Sequence, residues 1–412
     1  MKPAAAILLL LFLLTCNSLT RDIVVSNNGE NRSIKESIAA SVDGDRVIVK
    51  SGYYAEGSII IDRSIQLIGE DYPVLDGKNA CEIITVRSNN ITVKGFTVQN
   101  SGVSNLIDYA GIRVEDSKDC VIDNNRLINN FFSIYLANST YCRVSGNFIK
   151  SNAVSESSSG NGIHLWKCNN ITIEGNNISN QRDGIYFEFV TDSRIANNMS
   201  VNNLRYGLHF MFSNGDSYEY NVFSNNGAGV AVMYTKNVRM IGNRFENNWG
   251  PNSYGLLLKE IDNAYIYKNT FFKNTTGIYM ESGTNLDMLS NNFNENGWAM
   301  KILGNCVNDT VQHNNFTLNT FDVATNTSRN VNLFTENYWD KYKGYDINHD
   351  NIGDVPYRPV SLFSMIMERT PETIFLLRSF VVDILDIAEK VAPVFIPETL
   401  IDEKPLMKLY ND

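Results

Sequence analysis

A short element, a small residue followed by apolar–x–apolar, recurs along the chain. It reads GIRV at 111, SIYL at 133, GIHL at 162, GIYF at 184, GLHF at 207, GVAV at 229, GLLL at 255, GIYM at 277 and AMKI at 299. Successive starts lie 22, 29, 22, 23, 22, 26, 22 and 22 residues apart. Apolar residues at alternate positions predict a strand with one face in a core. A second landmark keeps the same step: Asn125, Asn147, Asn176, Asn198 (or its neighbour Asn197), Asn221, Asn243, Asn269, Asn291, Asn314 and Asn337. A period near 22 built from short strands, with no helical spacing, predicts a parallel β-helix, in which each coil buries its apolar side chains only by stacking on the next. Asparagine suits such columns because it tolerates left-handed turns and stacked amides can bond from coil to coil. The two longer steps predict loops at 151–161 and 247–254. The array is expected over 21–340, starting in earnest near 45–62, with 23–44 closing its open end.

The register raises a chemical question at RYGLHFMFSNG, residues 205–215. In each strand the first and third residues after the small one face the core, and the second and fourth face out. The outward pairs are then His164/Trp166, Tyr186/Glu188, His209/Met211, Ala231/Met233, Leu257/Lys259 and Tyr279/Glu281. Coils stack roughly 4.8 Å apart and i to i+2 spans about 6.6 Å. His209, Met211 and Met233 therefore become neighbours, with His164 two coils away. Imidazole and thioether without carboxylate suit Cu(I) better than calcium, magnesium or zinc. The competing reading is an apolar strip covered by another part of the chain or by a partner protein.

Charge and composition narrow the classes. The 412 residues carry 35 Lys plus Arg against 45 Asp plus Glu, a net of -10, which argues against nucleic acid as a partner. The first twenty residues, MKPAAAILLLLFLLTCNSLT, have one lysine and an apolar run from Ala4 to Leu14 that is too short to span a bilayer. They read as a secretory signal, 1–20. LLTC, ending at Cys16, resembles a lipoprotein cleavage box, which would add a lipid anchor, although Thr15 is a poor fit before the cysteine. Five cysteines follow: Cys81, Cys120, Cys142, Cys168 and Cys306. They are too few for a disulfide scaffold, and Cys120 and Cys142, in one column on adjacent coils, read first as buried thiols.

After Asn337 the composition changes, and 341–412 form a separate tail. GYDINHDNIGDVPYRP places Asp346, Asn348, Asp350 and Asp354 at positions 1, 3, 5 and 9 of a calcium-type loop. Asn351 stands where that loop has glycine, and Tyr357 where it has its bidentate glutamate. The alternative is an Asx-rich turn that ends the array. PETIFLLRSFVVDILDIAEKVAPVF, starting at Pro371, predicts a helix with an apolar stripe through Ile374, Leu377, Val381 and Leu385. It is expected to be either a cap or a docking arm.

Taken together, RYGLHFMFSNG, GAGVAVMYTKNVRMIGNRF, SYGLLLKEI, the tail YWDKYKGYDINHDNIGDVPYRP and IDEKPLM resemble the NosD family, periplasmic accessory proteins in the maturation of nitrous oxide reductase. The resemblance covers nearly all of the mature chain. It implies a right-handed parallel β-helix in the periplasm, working with the permease and ATPase subunits of an ABC transporter. It further implies copper supplied by a chaperone for assembly of the copper–sulfur centre of the reductase. The chain has no P-loop motif, so ATP chemistry would belong to the partner. The same fold also serves carbohydrate lyases, hydrolases and epimerases. Those need convergent carboxylates, whereas Glu188 and Glu281 fall four coils apart, roughly 19 Å by coil rise. A third class, an adhesin-like solenoid, would explain the repeat but not the tail.

Overall fold

The structure, a computed structural model, describes residues 20–411 except 105, 327–331, 378 and 392–399. The segment expected to be a signal, up to residue 19, and the lipid-anchor reading of Cys16 fall outside the described residues. The chain winds as a parallel β-helix with three strands in most coils. The first two faces form one 23-stranded sheet and the third a 13-stranded sheet. The named strand pairings are all parallel, coil on coil. In the middle of the array the corner between the first two faces straightens, and Ala228–Ile241, Tyr254–Tyr267 and Thr276–Leu289 run through both without a break. The small residue before each first-face strand marks a close inter-coil approach. A Cβ on Gly229 would lie 2.3 Å from the carbonyl oxygen of Gly255, so a side chain there would push the coils apart.

The asparagine column is a buried ladder. Each side-chain N–H donates to the amide oxygen of the next Asn at 2.9–3.1 Å, from Asn125 through Asn337. Asn198, not Asn197, is its member. The left-handed turn falls one residue earlier than expected, at Asn124, Gly146, Gly175, Asn197, Tyr220 and Gly242, for example. The column is asparagine because it must both donate and accept inside the core, not because its backbone is left-handed. A second ladder, through Gln181, Asn203, Asn226, Asn248, Asn274, Asn296 and Asn319, runs one corner further on. Between them Phe223, Phe245, Phe271, Phe293, Phe316 and Trp339 stack at 4.0–5.7 Å inside the third face.

Both ends of the array are closed by the chain itself. At the start, Asp22–Val25 is already a rung, paired with Arg46–Val49. Helix α1 (Ile34–Ala39), capped by the Ser33 hydroxyl, buries Ile34 and Ile38 over the opening. At the far end the closing element is not the tail helix but the segment around Leu400–Leu406. It bridges to Phe334 and Tyr338, and the buried Asp402 carboxylate takes the ladder position after Asn337.

The rest of the tail lies on the outside of the first face. Helix α2 (Leu362–Arg369) starts at Ser361, whose hydroxyl accepts from the Ser364 N–H. Its Phe363 and Met367 pack on Trp298, Phe321 and Ala324, and Lys301 pairs with Glu368 at 2.7 Å. The single helix expected from Pro371 is instead a 3₁₀ turn, Pro371–Leu376, followed by α3 (Phe380–Val391). The expected stripe splits accordingly. Leu377 and Leu385 pack inward with Leu376 and Val382. Ile374 and Val381 face out with Phe375, Phe380, Ile384 and Ile387.

Candidate metal-binding face

Strand Tyr206–Met211 buries Leu208 and Phe210 completely and turns His209 and Met211 outward. The pairing is as the alternation predicts: His164 opposite Tyr186, Tyr186 opposite His209, His209 opposite Ala231, and Met211 opposite Met233. His209, Met211 and Met233 are thus brought together. His164 is held two coils away, with the Tyr186 ring in between.

Outward does not mean solvated here. His209 is only 6% exposed. Its ring lies between Tyr186 (5.0 Å) and Tyr206 (4.7 Å). The next residue along the lane, Ala231, is fully buried. Neither ring nitrogen of His209 has a hydrogen-bond partner. Burial, together with Arg205 and Arg182 and against the pull of Asp183, brings its pKa down to about 4, so the imidazole is neutral and keeps a free lone pair. A buried unpaired polar group costs about 1–3 kcal/mol, which ligation of a cation would relieve. His164 is different: its Nδ1 meets the Asn161 amide at 2.9 Å and its ring stacks on Tyr186 at 4.8 Å. Burial and two nearby arginines lower its pKa to about 3. Asn161 ends the 151–161 loop, so that loop is fastened beside the strip.

The donors are therefore one neutral imidazole and two half-buried thioethers, a soft set. Met211 already has a partner: the Tyr186 hydroxyl donates to its Sδ at 3.5 Å. Beside the strip, Phe189, Phe212 and Tyr234 form an exposed stack at 5.3 and 5.0 Å. All three are left-handed, a backbone state unfavourable for bulky residues. Sequence reasoning missed this stack, although each ring directly follows the outward residue of its strand.

Elsewhere, among the described residues, no three His, Cys, Asp or Glu side chains cluster closely enough to hold a metal ion. In the acidic loop, Asp346 accepts from the Asp350 and Asn351 N–H groups, Asp350 from Ile352 and Asp354 from Ile347, while Asn348 meets Asp350. Asn351 has φ 67°, the conformation for which such loops use glycine. Tyr357 is occupied by Asp322 and by backbone pairing with Asp402. Cys81, Cys120, Cys142, Cys168 and Cys306 are all free thiols, and Cys120 and Cys142 are buried with their S–H groups near backbone carbonyls.

Fold and face together define the class: a parallel β-helix that carries a buried imidazole beside two half-buried thioethers on its outer first face and folds its own tail onto the same face. A family model described as "Periplasmic copper-binding protein (NosD)" matches residues 38–159 and 150–353. The chain belongs to the NosD family. It is 29% identical over 395 residues to the probable ABC transporter binding protein NosD of Pseudomonas aeruginosa, covering 91% of each chain. To the protein of the same description from Stutzerimonas stutzeri it is 26% identical over 388 residues, covering 89% of this chain and 88% of the other. Among solved structures, a family 28 exopolygalacturonase of Yersinia enterocolitica superposes with a TM-score of 0.60 at 11% identity, over 77% of this chain and 78% of that one. That likeness concerns the fold alone.

Proposed function

We propose that the protein is a periplasmic copper carrier in the maturation of nitrous oxide reductase. In this reading it receives Cu(I) from a chaperone, holds it transiently at His209, Met211 and Met233, and works with an ABC transporter during assembly of the copper–sulfur centre. The observation that carries the reading is His209: buried, neutral, without a partner at either ring nitrogen, and beside two thioethers in register. A site built to pass a cation on should be incomplete, so three donors of modest strength suit transfer better than storage. The copper-binding description of the family supports the copper part of this reading, and the two ABC transporter binding relatives support its transporter part. The carbohydrate-enzyme alternative has no comparable support, because on this face Glu281 is paired with Lys259 at 3.5 Å and Glu188 lies four coils away.

The test is an anaerobic Cu(I) titration of the mature chain. Met211→Leu with Met233→Leu keeps volume and apolarity while removing both sulfurs. Cu(I) affinity should fall by at least about tenfold, the effect of roughly 1.4 kcal/mol, with the melting temperature unchanged. Copper binding and reductase maturation equal to the parent's would sink the site.

In the same proposal, the outward side of the tail, Phe375, Phe380, Ile384 and Ile387, supplies anchors for the transporter's permease subunits. Exposed clusters of large apolar side chains are rare without a partner. Phe380→Asp with Ile384→Asp should abolish co-purification with the permease while leaving the circular dichroism of the β-helix intact. Retained capture would move the docking site elsewhere.

A further inference from the structure

The soft-donor group carries a cover of its own. Tyr186 sits one coil from His209 in the same lane. Its ring closes over the His209 ring edge-to-face at 5.0 Å, and its other side stacks on His164 at 4.8 Å. From that position its hydroxyl reaches across to the neighbouring lane and donates to Met211 Sδ. One side chain therefore shields the imidazole and occupies a thioether lone pair at once. We propose that Tyr186 is a gate: it keeps His209 covered and Met211 engaged in the empty protein, and a soft cation enters only when its side chain swings outward. This rests on the copper-carrier reading of the same site.

The two tyrosines that flank His209 are not equivalent, and the difference identifies the moving one. The Arg205 guanidinium lies over the Tyr206 ring at 5.2 Å. Arg205 is itself fixed by the buried Asp183, with Nε to Oδ1 at 2.9 Å. Tyr206 is pinned from behind. Tyr186 is half-buried with no charged group over its ring among the described residues, and its hydroxyl is held by a thioether, which is a weak acceptor. That contact is easily exchanged for water. Opening the gate would free a neutral imidazole and a thioether together, which couples their availability. Closing it would return both to a dry state and favour release.

The experiment measures Cu(I) affinity by competition with a chromogenic Cu(I) chelator, and the rate at which that chelator strips the loaded protein. It uses the full mature chain, Tyr186→Phe, Tyr186→Leu, Met211→Leu and the Tyr186→Phe/Met211→Leu double variant, and follows the rate of Cu(I) uptake as well. Tyr186→Phe keeps the ring and removes the hydroxyl. It should bind Cu(I) about two- to tenfold more tightly, the range of one net hydrogen bond, and melt where the parent does. In the Met211→Leu background the same change should have no effect, because the contact it releases is already gone. Tyr186→Leu, which also removes the ring, should take up Cu(I) faster than either. The gate is overturned if Tyr186→Phe matches the parent, or if its effect persists at full size without the Met211 sulfur. A parent that binds no Cu(I) would remove the carrier reading and the gate together. A parent that binds while the Tyr186 variants behave identically to it would remove the gate alone.

Discussion

Replacing Asp402 with alanine is expected to destabilise the last coils by at least about 3 kcal/mol, because three buried donors are left unpaired at about 1–3 kcal/mol each. Its Oδ2 accepts from the Asn337 N–H at 3.0 Å, the Asn337 side-chain amide at 3.1 Å and the Trp339 indole N–H at 3.0 Å. Its Oδ1 accepts from the backbone N–H groups of Glu336 and Lys404 at 3.1 and 3.0 Å. Every neighbour is a donor, which explains why the ladder ends in a carboxylate: a terminal asparagine would turn an N–H toward other N–H groups. Hydrogen exchange should rise steeply at Leu333–Trp339 and hardly at all at Ala110–Val201, because coils interact with their neighbours only. Unchanged exchange at Trp339 would show that something else closes the array.

Asp216→Asn is expected to stabilise the protein, increasingly so as pH rises from about 4 to about 8. Asp216 stands in the column of Cys120, Cys142 and Ile171, where its Oδ1 accepts from the Ser193 N–H at 2.8 Å. Its Oδ2 is buried without a partner. Burial, reinforced by Asp192, raises its pKa to about 8 from an ordinary 3.8. The folded state therefore favours the protonated acid. Its stabilising effect is complete below about pH 4 and is lost progressively as pH climbs through 8. A shift of that size corresponds to an upper bound on the order of 5 kcal/mol. Asparagine is neutral throughout and fits: Asn332 occupies the same column, its oxygen accepting from the Asp309 N–H and its amide donating to the Cys306 carbonyl. Urea unfolding of both proteins across pH 4–9 should give curves that diverge with pH. Parallel curves would mean that water reaches the carboxylate.

The period was legible because core and corner residues repeat at a fixed step, and each step is set by one coil of backbone. The second ladder was equally legible, since Asn203, Asn226, Asn248, Asn274, Asn296 and Asn319 each follow a first-column asparagine by five residues. What the pattern could not convey is how far a neighbouring coil's side chain leans. His209 is outward by alternation, yet the rings of Tyr186 and Tyr206 and the small Ala231 leave it dry. The tail departs from its sequence pattern for a different reason. The stripe through Ile374, Leu377, Val381 and Leu385 assumes 100° per residue, whereas the 3₁₀ turn Pro371–Leu376 advances nearer 120°. Leu377 then leaves helical geometry with ψ 121°, so the phase is reset before α3 begins. Asp402 lies 65 residues from its ladder partner, beyond the reach of any periodic argument.

The ladder also has an electrical consequence. From Asn125 to Asn337 each side-chain amide donates one N–H forward to the next member and the other back to a backbone carbonyl, while its own carbonyl always faces the coil before it, so the C=O dipoles are aligned. Aligned amide dipoles add, as they do along an α-helix, and leave the forward end partially positive. The Asp402 carboxylate sits at that end, as an anion does at a helix N-terminus. The core is therefore polar along the stacking axis, with the Asp402 carboxylate closing its positive end.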